Sequence, residues 1–139
     1  MKLLILSSEF PPGPGGIGTH AAAVATQLST IGWEVTVLSR QDYATDTEVD
    51  AFNAERPFRM IRLREVPGPL LEAVYRYRVA SKVIRDWKPD VMLASGERSA
   101  WLGWRLARAH CLPWIVVGHG TEFGTRSAFE RWLNRRGVR

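Results

Sequence analysis

At 139 residues, with 45% hydrophobic and 24% charged side chains, the chain holds one domain's worth of material and enough apolar mass for a core, which excludes a disordered tail. Its single cysteine, Cys111, cannot close an internal disulfide, and no stretch approaches the ~20 apolar residues of a membrane-spanning helix. A net charge of +5 permits attraction to nucleic acid, anionic lipid or phosphorylated ligands without selecting among them.

Residues 2–7 are apolar after Lys2, as in a strand buried on both faces. The run is too short for a signal peptide and is followed at once by Ser7, Ser8 and Glu9, so a cytoplasmic protein is expected. After the Pro/Gly-rich residues 11–16, Ile17, Ala21, Val24, Leu28 and Ile31 recur at helical spacing, and Gly32 supplies a stop. Residues 34–38 form the second strand. Residues 40–57 are polar and acidic, without periodicity, and are expected to be a surface loop. Residues 58–63 alternate as a third strand, and a helix follows over about 70–87. A fourth strand covers 91–94, the loop Ser95-Gly96-Glu97-Arg98 follows, and a helix runs over about 99–110. Residues 113–118 are a fifth strand, 119–123 a loop at its end, and an arginine-rich helix begins near Ser127. Short strands alternating with helices predict an α/β fold, a Rossmann-like doubly wound parallel sheet whose ligands bind outside the carboxyl ends of its strands. The loops 8–18, 95–98 and 119–124 fall at that edge.

Gly13-Pro14-Gly15-Gly16-Ile17-Gly18 formally matches the dinucleotide fingerprint, but its loop is long and proline-rich, and the second strand ends at Ser39-Arg40 without an acid. Arg40 leaves a 2′-phosphate, and hence an NADP oxidoreductase, open as an alternative. The Tyr-x-x-x-Lys pair of short-chain dehydrogenases is absent, because Val79 follows Tyr75 and Ser81 follows Tyr77 at that spacing. Glycines let backbone N–H groups approach an anion closely, and a helix beginning near Ile17 aims its positive end at the same place, so a phosphate or diphosphate is the natural ligand. His119 lies between Gly118 and Gly120 at a strand's carboxyl end, where an imidazole can bond a sugar hydroxyl or carry developing charge; a loop histidine tied to backbone is the plainer alternative. Glu9, Glu97 and Glu122 are candidate hydroxyl ligands, with solvated loop or helix-start carboxylates as the plain reading. His20 has two readings, near the glycine loop or, as the plainer expectation, on a helix surface; His110 and Cys111 are expected as structural residues.

The run Glu9-Phe10-Pro11-Pro12-Gly13-Pro14-Gly15-Gly16-Ile17-Gly18-Thr19-His20 resembles the first loop of retaining GT-B glycosyltransferases related to bacterial mannosyl- and glucosyltransferases, the glycosyltransferase family 4-like N-terminal domain. The resemblance continues through residues 23–37, with Trp33 where the family often has His, through Lys88-Pro89-Asp90-Val91, and through His119-Gly120-Thr121-Glu122. It implies the N-terminal, acceptor-side half of a GT-B fold. Gly15, Gly16 and Ile17 would lie beside the diphosphate of a UDP- or GDP-type sugar donor, and His119 near the transferred hexose as the catalytic residue. Glu9, Glu97, Thr121 and Glu122 would meet sugar or acceptor. The acceptor would be a glycan or lipid-linked, and transfer would proceed with retention. No metal or other cofactor is implied, since protein groups and helix dipoles stabilise the leaving diphosphate. A GT-B enzyme closes its site with a C-terminal, nucleotide-holding domain, in cis or in trans. These 139 residues do not contain it, so the chain is expected to be truncated and inactive by itself.

Arg78, Lys82 and Arg85 share a helix face with Tyr75, and Arg126, Arg131, Arg135, Arg136 and Arg139 cluster near the end. Such faces suit peripheral contact with anionic lipid, although a solvated surface is the default. No recognised motif supports nucleic-acid binding. A non-catalytic nucleotide- or phosphosugar-binding module, or an epimerase of the same fold, remains the alternative function.

Overall fold

A computed structural model describes residues 1–119. Thr121, Glu122, the expected last helix and the arginines from Arg126 onward lie outside the described residues. The elements in chain order are β1 (Lys2–Ser7), α1 (Gly16–Thr30), β2 (Glu34–Ser39), α2 (Asp46–Ala54), β3 (Arg59–Arg62), α3 (Pro69–Trp87), β4 (Val91–Ser95), α4 (Glu97–His110) and β5 (Trp114–Val117). The strands form one parallel sheet in the order β3-β2-β1-β4-β5, the doubly wound arrangement the alternating pattern predicts. β1 is central, pairing Leu3 with Val35 on one side and with Val91 on the other.

Side chains alternate across a strand, so β1 feeds two cores. Leu3 and Ile5 point to the face covered by α1, where Ala21, Ala25, Val35, Val37 and Phe58 complete the cluster. Leu4 and Leu6 point to the opposite face and pack with Ala80 and Ile84 of α3 and Leu106 and Ala107 of α4. Each fully buried aliphatic side chain contributes roughly 1.5–3 kcal/mol, which makes β1 the most heavily invested strand.

Three expectations are corrected. Residues 40–57 are not all loop, because α2 occupies the middle of them. Thr45 accepts from the Glu48 backbone N–H, and the Glu48 carboxylate accepts from the Thr45 backbone N–H, a capping box that marks the helix start. The buried stripe of α1 is Gly18, Ala21 and Ala25, small residues that bring the helix close to the sheet, whereas Ile31 caps its end and is 69% exposed. α4 also starts earlier than expected, which puts Glu97 in its first turn.

Candidate functional site

The chain runs β1-β2-β3 to one side and then returns to place β4 on the other side of β1, so the topological switch point lies between the carboxyl ends of β1 and β4. Ser7 and Ser95 are register partners there. Ser7 Oγ donates to the Glu9 carbonyl at 2.7 Å and turns the chain off the sheet. Glu9 Oε1 then accepts from the backbone N–H groups of Ile17 (3.1 Å) and Gly18 (3.3 Å), so an acid already sits on the positive end of α1. Gly15 holds φ 143, open mainly to glycine, and a Cβ there would collide with the Glu9 carboxylate. A Cβ on Gly16 meets nothing within 4 Å, so this glycine faces open space.

The loop is held from behind. Phe10 meets Phe52 of α2 and Phe58 edge-on, with centroids 6.5 and 5.9 Å apart. The buried Gln41 side chain donates to the Pro11 carbonyl at 2.6 Å and to Asn53 Oδ1 of α2 at 2.9 Å. The helix missing from the pattern reading is therefore the buttress of the glycine loop.

His119, just past β5, shares a 2.9 Å hydrogen bond between its Nε2 and Ser95 Oγ. Its ring packs edge-on against His20 of α1, with centroids 5.2 Å apart. His119 is thus tied to a side chain, and its neighbour His20 is exposed on α1, as expected. The two imidazoles bring the end of β5 to the start of α1, beside the glycine loop.

Glu9 and Glu97 line one polar cavity of about 390 Å³. Arg40, Asp42 and Tyr43, beyond β2, and Glu72 and Arg76, on α3, complete it with Ser8, Phe10 and Arg98. Arg40 pairs with Asp42 at 2.5 Å, Glu72 at 3.1 Å and Glu65 at 3.8 Å. Burial works against its charge, but Asp42 and Glu72 outweigh that and raise its pKa. A guanidinium so engaged is poorly placed to receive a 2′-phosphate, which counts against the NADP alternative. Arg76 is 8% exposed, and burial lowers its pKa, with Glu72 offsetting and the Arg40 and Arg98 charges adding. Among the described residues, no group of three or more His, Cys, Asp or Glu is placed to hold a metal ion.

Sequence reasoning missed the polar cavity's α3 members. Arg76 sits in a run of arginines, and only its burial separates it from Arg78, which is solvated. Glu72 and Arg40, 32 residues apart, meet because α3 crosses back over the sheet.

The profile of the family described as "Glycosyl transferase 4-like domain" matches residues 15–139. The glycogen synthase of Mycobacterium tuberculosis is 28% identical over 97% of this chain and 40% of its own length. The UDP-N-acetylglucosamine–N-acetylmuramyl-(pentapeptide) pyrophosphoryl-undecaprenol N-acetylglucosamine transferase of Shewanella amazonensis is 29% identical over 73% of this chain and 31% of its own. Among solved structures, Acinetobacter baumannii MurG superposes with a TM-score of 0.64 at 19% identity, over 96% of this chain and 39% of that one. The chain therefore spans 40% or less of the curated relatives it matches. A parallel sheet with this switch point, a glycine loop opening α1 and the family match over nearly all of its length place the chain in the glycosyl transferase 4-like family, as the N-terminal domain of a GT-B fold.

Proposed function

We propose that the chain forms the acceptor-side wall of a glycosyltransferase active site, at which a hexose passes from a UDP- or GDP-type sugar to a glycan or lipid-linked acceptor with retention. The observation that best supports this is the packing of the Ser95-anchored His119 against His20 of α1, which sets an imidazole at the switch point near the start of the helix that the glycine loop opens. The donor diphosphate approaches over Gly15 and Gly16. The amides of Ile17 and Gly18 are held by Glu9, so the helix end acts on the diphosphate through its dipole, or through those amides once Glu9 yields them. His119 bonds a hydroxyl of the transferred sugar, and anchoring by Ser95 removes the cost of orienting it. The acceptor hydroxyl enters from the polar cavity between Glu9 and Glu97. Thr121 and Glu122 are further sugar ligands in this reading.

A second domain, in cis or in trans, holds the nucleotide, and transfer needs both domains. No metal cofactor takes part, and the protein works in the cytoplasm, at the inner face of the membrane where the acceptor is lipid-linked. The two relatives described above are named a glycogen synthase and an N-acetylglucosamine transferase, the second name including pyrophosphoryl-undecaprenol.

The test is a binding titration of the full-length protein against UDP-sugars, GDP-sugars and NADP, repeated with Gly16→Asp and His119→Ala. Selective binding of one nucleotide sugar, lost in Gly16→Asp, is expected. Binding of NADP alone would overturn the reading.

A further inference from the structure

A second cavity, of about 720 Å³, lies between α3 and α4. Leu70, Val74, Trp101 and Leu102 give it an apolar lining, with Leu70 76% and Val74 41% exposed. Exposed large apolar side chains gathered in one groove are a sign of something that binds there. Four arginines, Arg76, Arg78, Arg98 and Arg105, surround it against a single carboxylate, Glu72. Arg78, Arg98 and Arg105 form no ion pair among the described residues.

Arg76 is the informative one. It is more than nine-tenths buried, its Nε has no hydrogen-bond partner, and its ion pair with Glu72 is long at 3.8 Å. Glu72 is itself committed to Arg40 at 3.1 Å. A buried guanidinium so poorly compensated favours an incoming anion. Glu72, Arg76 and Arg98 line this groove and the polar cavity alike, so the two spaces adjoin at the arginines. A neutral glycan would leave the cluster of cations without a compensating negative charge.

We propose that the α3–α4 groove takes the apolar chain of an acidic amphiphile, whose phosphate-type group sits on Arg76 and Arg98 and whose polar head enters the cavity at the glycine loop. This rests on the glycosyltransferase reading above in one respect: it makes that amphiphile the lipid-linked acceptor rather than a glycan.

The full chain is titrated calorimetrically with dodecyl phosphate below its micelle concentration, with inorganic phosphate and dodecyl maltoside as probes of head and chain alone. One dodecyl phosphate per chain is expected, bound about tenfold or more tighter than either control. Arg98→Gln and Val74→Glu, both at solvent-accessible positions, should each weaken it about fivefold, while Arg85→Gln, an exposed arginine of α3 outside the groove, should not. Circular dichroism checks that each variant is folded. Equal affinity for dodecyl maltoside, equal affinity for inorganic phosphate, insensitivity to both groove variants, or binding to phosphatidylglycerol vesicles with no binding of monomeric dodecyl phosphate would each overturn the inference. The readout is independent of sugar transfer. If the amphiphile fails to bind while a nucleotide sugar binds the full-length protein, the acceptor assignment alone falls. If the amphiphile binds and no nucleotide sugar does, the groove stands and the transferase reading falls.

Discussion

Glu9 and Gly16 divide the start of α1 between them. Glu9 satisfies two amides that the helix would otherwise leave without partners, which is the work of a cap. Glu9→Ala should therefore lower stability by about 1 kcal/mol, read from the urea midpoint. The same variant frees those amides, so a nucleotide diphosphate should bind no more weakly than before; a loss of binding would mean that Glu9 touches the donor sugar rather than competing with its diphosphate. At the other wall, Ser95 positions His119 through a 2.9 Å bond and touches nothing that reacts in the proposed chemistry. In the full-length enzyme His119→Ala is expected to lower kcat about a hundredfold. Ser95→Ala, which leaves the imidazole present but loosely held, should lower it about tenfold. Equal losses would move Ser95 from positioning into the reaction itself.

At the scale of elements, α2 separates what pattern reading sees from what it misses. β1, β2, β4 and the three longer helices were legible because each buries a continuous face and writes it as a run or a helical period. α2 buries only Val49 completely, and its remaining residues are mostly charged or polar, so its period is faint. The chain nonetheless carries the Thr-x-x-Glu signature at Thr45 and Glu48, which was available to a reader looking for starts rather than faces. The box also carries a pH dependence. Hydrogen bonds from the Thr45 backbone and hydroxyl hold the Glu48 carboxyl below its ordinary pKa. A lowered acid stabilises the fold above the unfolded pKa, and that stabilisation is lost as pH falls through the folded value. Thr45→Ala should destabilise the fold at neutral pH and by progressively less as pH falls through the carboxylate range, by denaturant melts at each pH. Because α2 carries Phe52 and Asn53 against the glycine loop, the variant should also weaken nucleotide-sugar binding by the full-length protein.

For the molecule as a whole, the fold was legible and the cavity was not, and both follow from range. Secondary elements are set by neighbours within a few residues, and the parallel order follows from their alternation. The cavity is made by residues such as Ser8, Arg40, Glu72 and Arg98 that only the crossover of α3 brings together. The same geometry separates stability from function. The two cores lie against the body of β1, whereas the candidate site lies beyond its carboxyl end. Ile5 is fully buried, and truncating it to Ala removes apolar contacts on the α1 face and leaves a cavity that close packing cannot collapse, at a cost of about 3–4 kcal/mol. For a domain of this size that is much of the total, and it should lower the Tm by more than ten degrees or so. Gly16→Asp places a carboxylate in open space, at a backbone conformation that any residue adopts, and at the positive end of α1. Its melting temperature should match the parent within a degree or two, while its charge repels a diphosphate approaching the same helix end. Thermal melts of the two variants beside nucleotide-sugar titrations of the full-length protein should thus give opposite patterns, with Ile5→Ala losing stability and Gly16→Asp losing binding. A Gly16→Asp protein that melts early would place Gly16 in the packing of the loop and remove it from the donor site; one that melts normally and still binds would move the diphosphate away from α1.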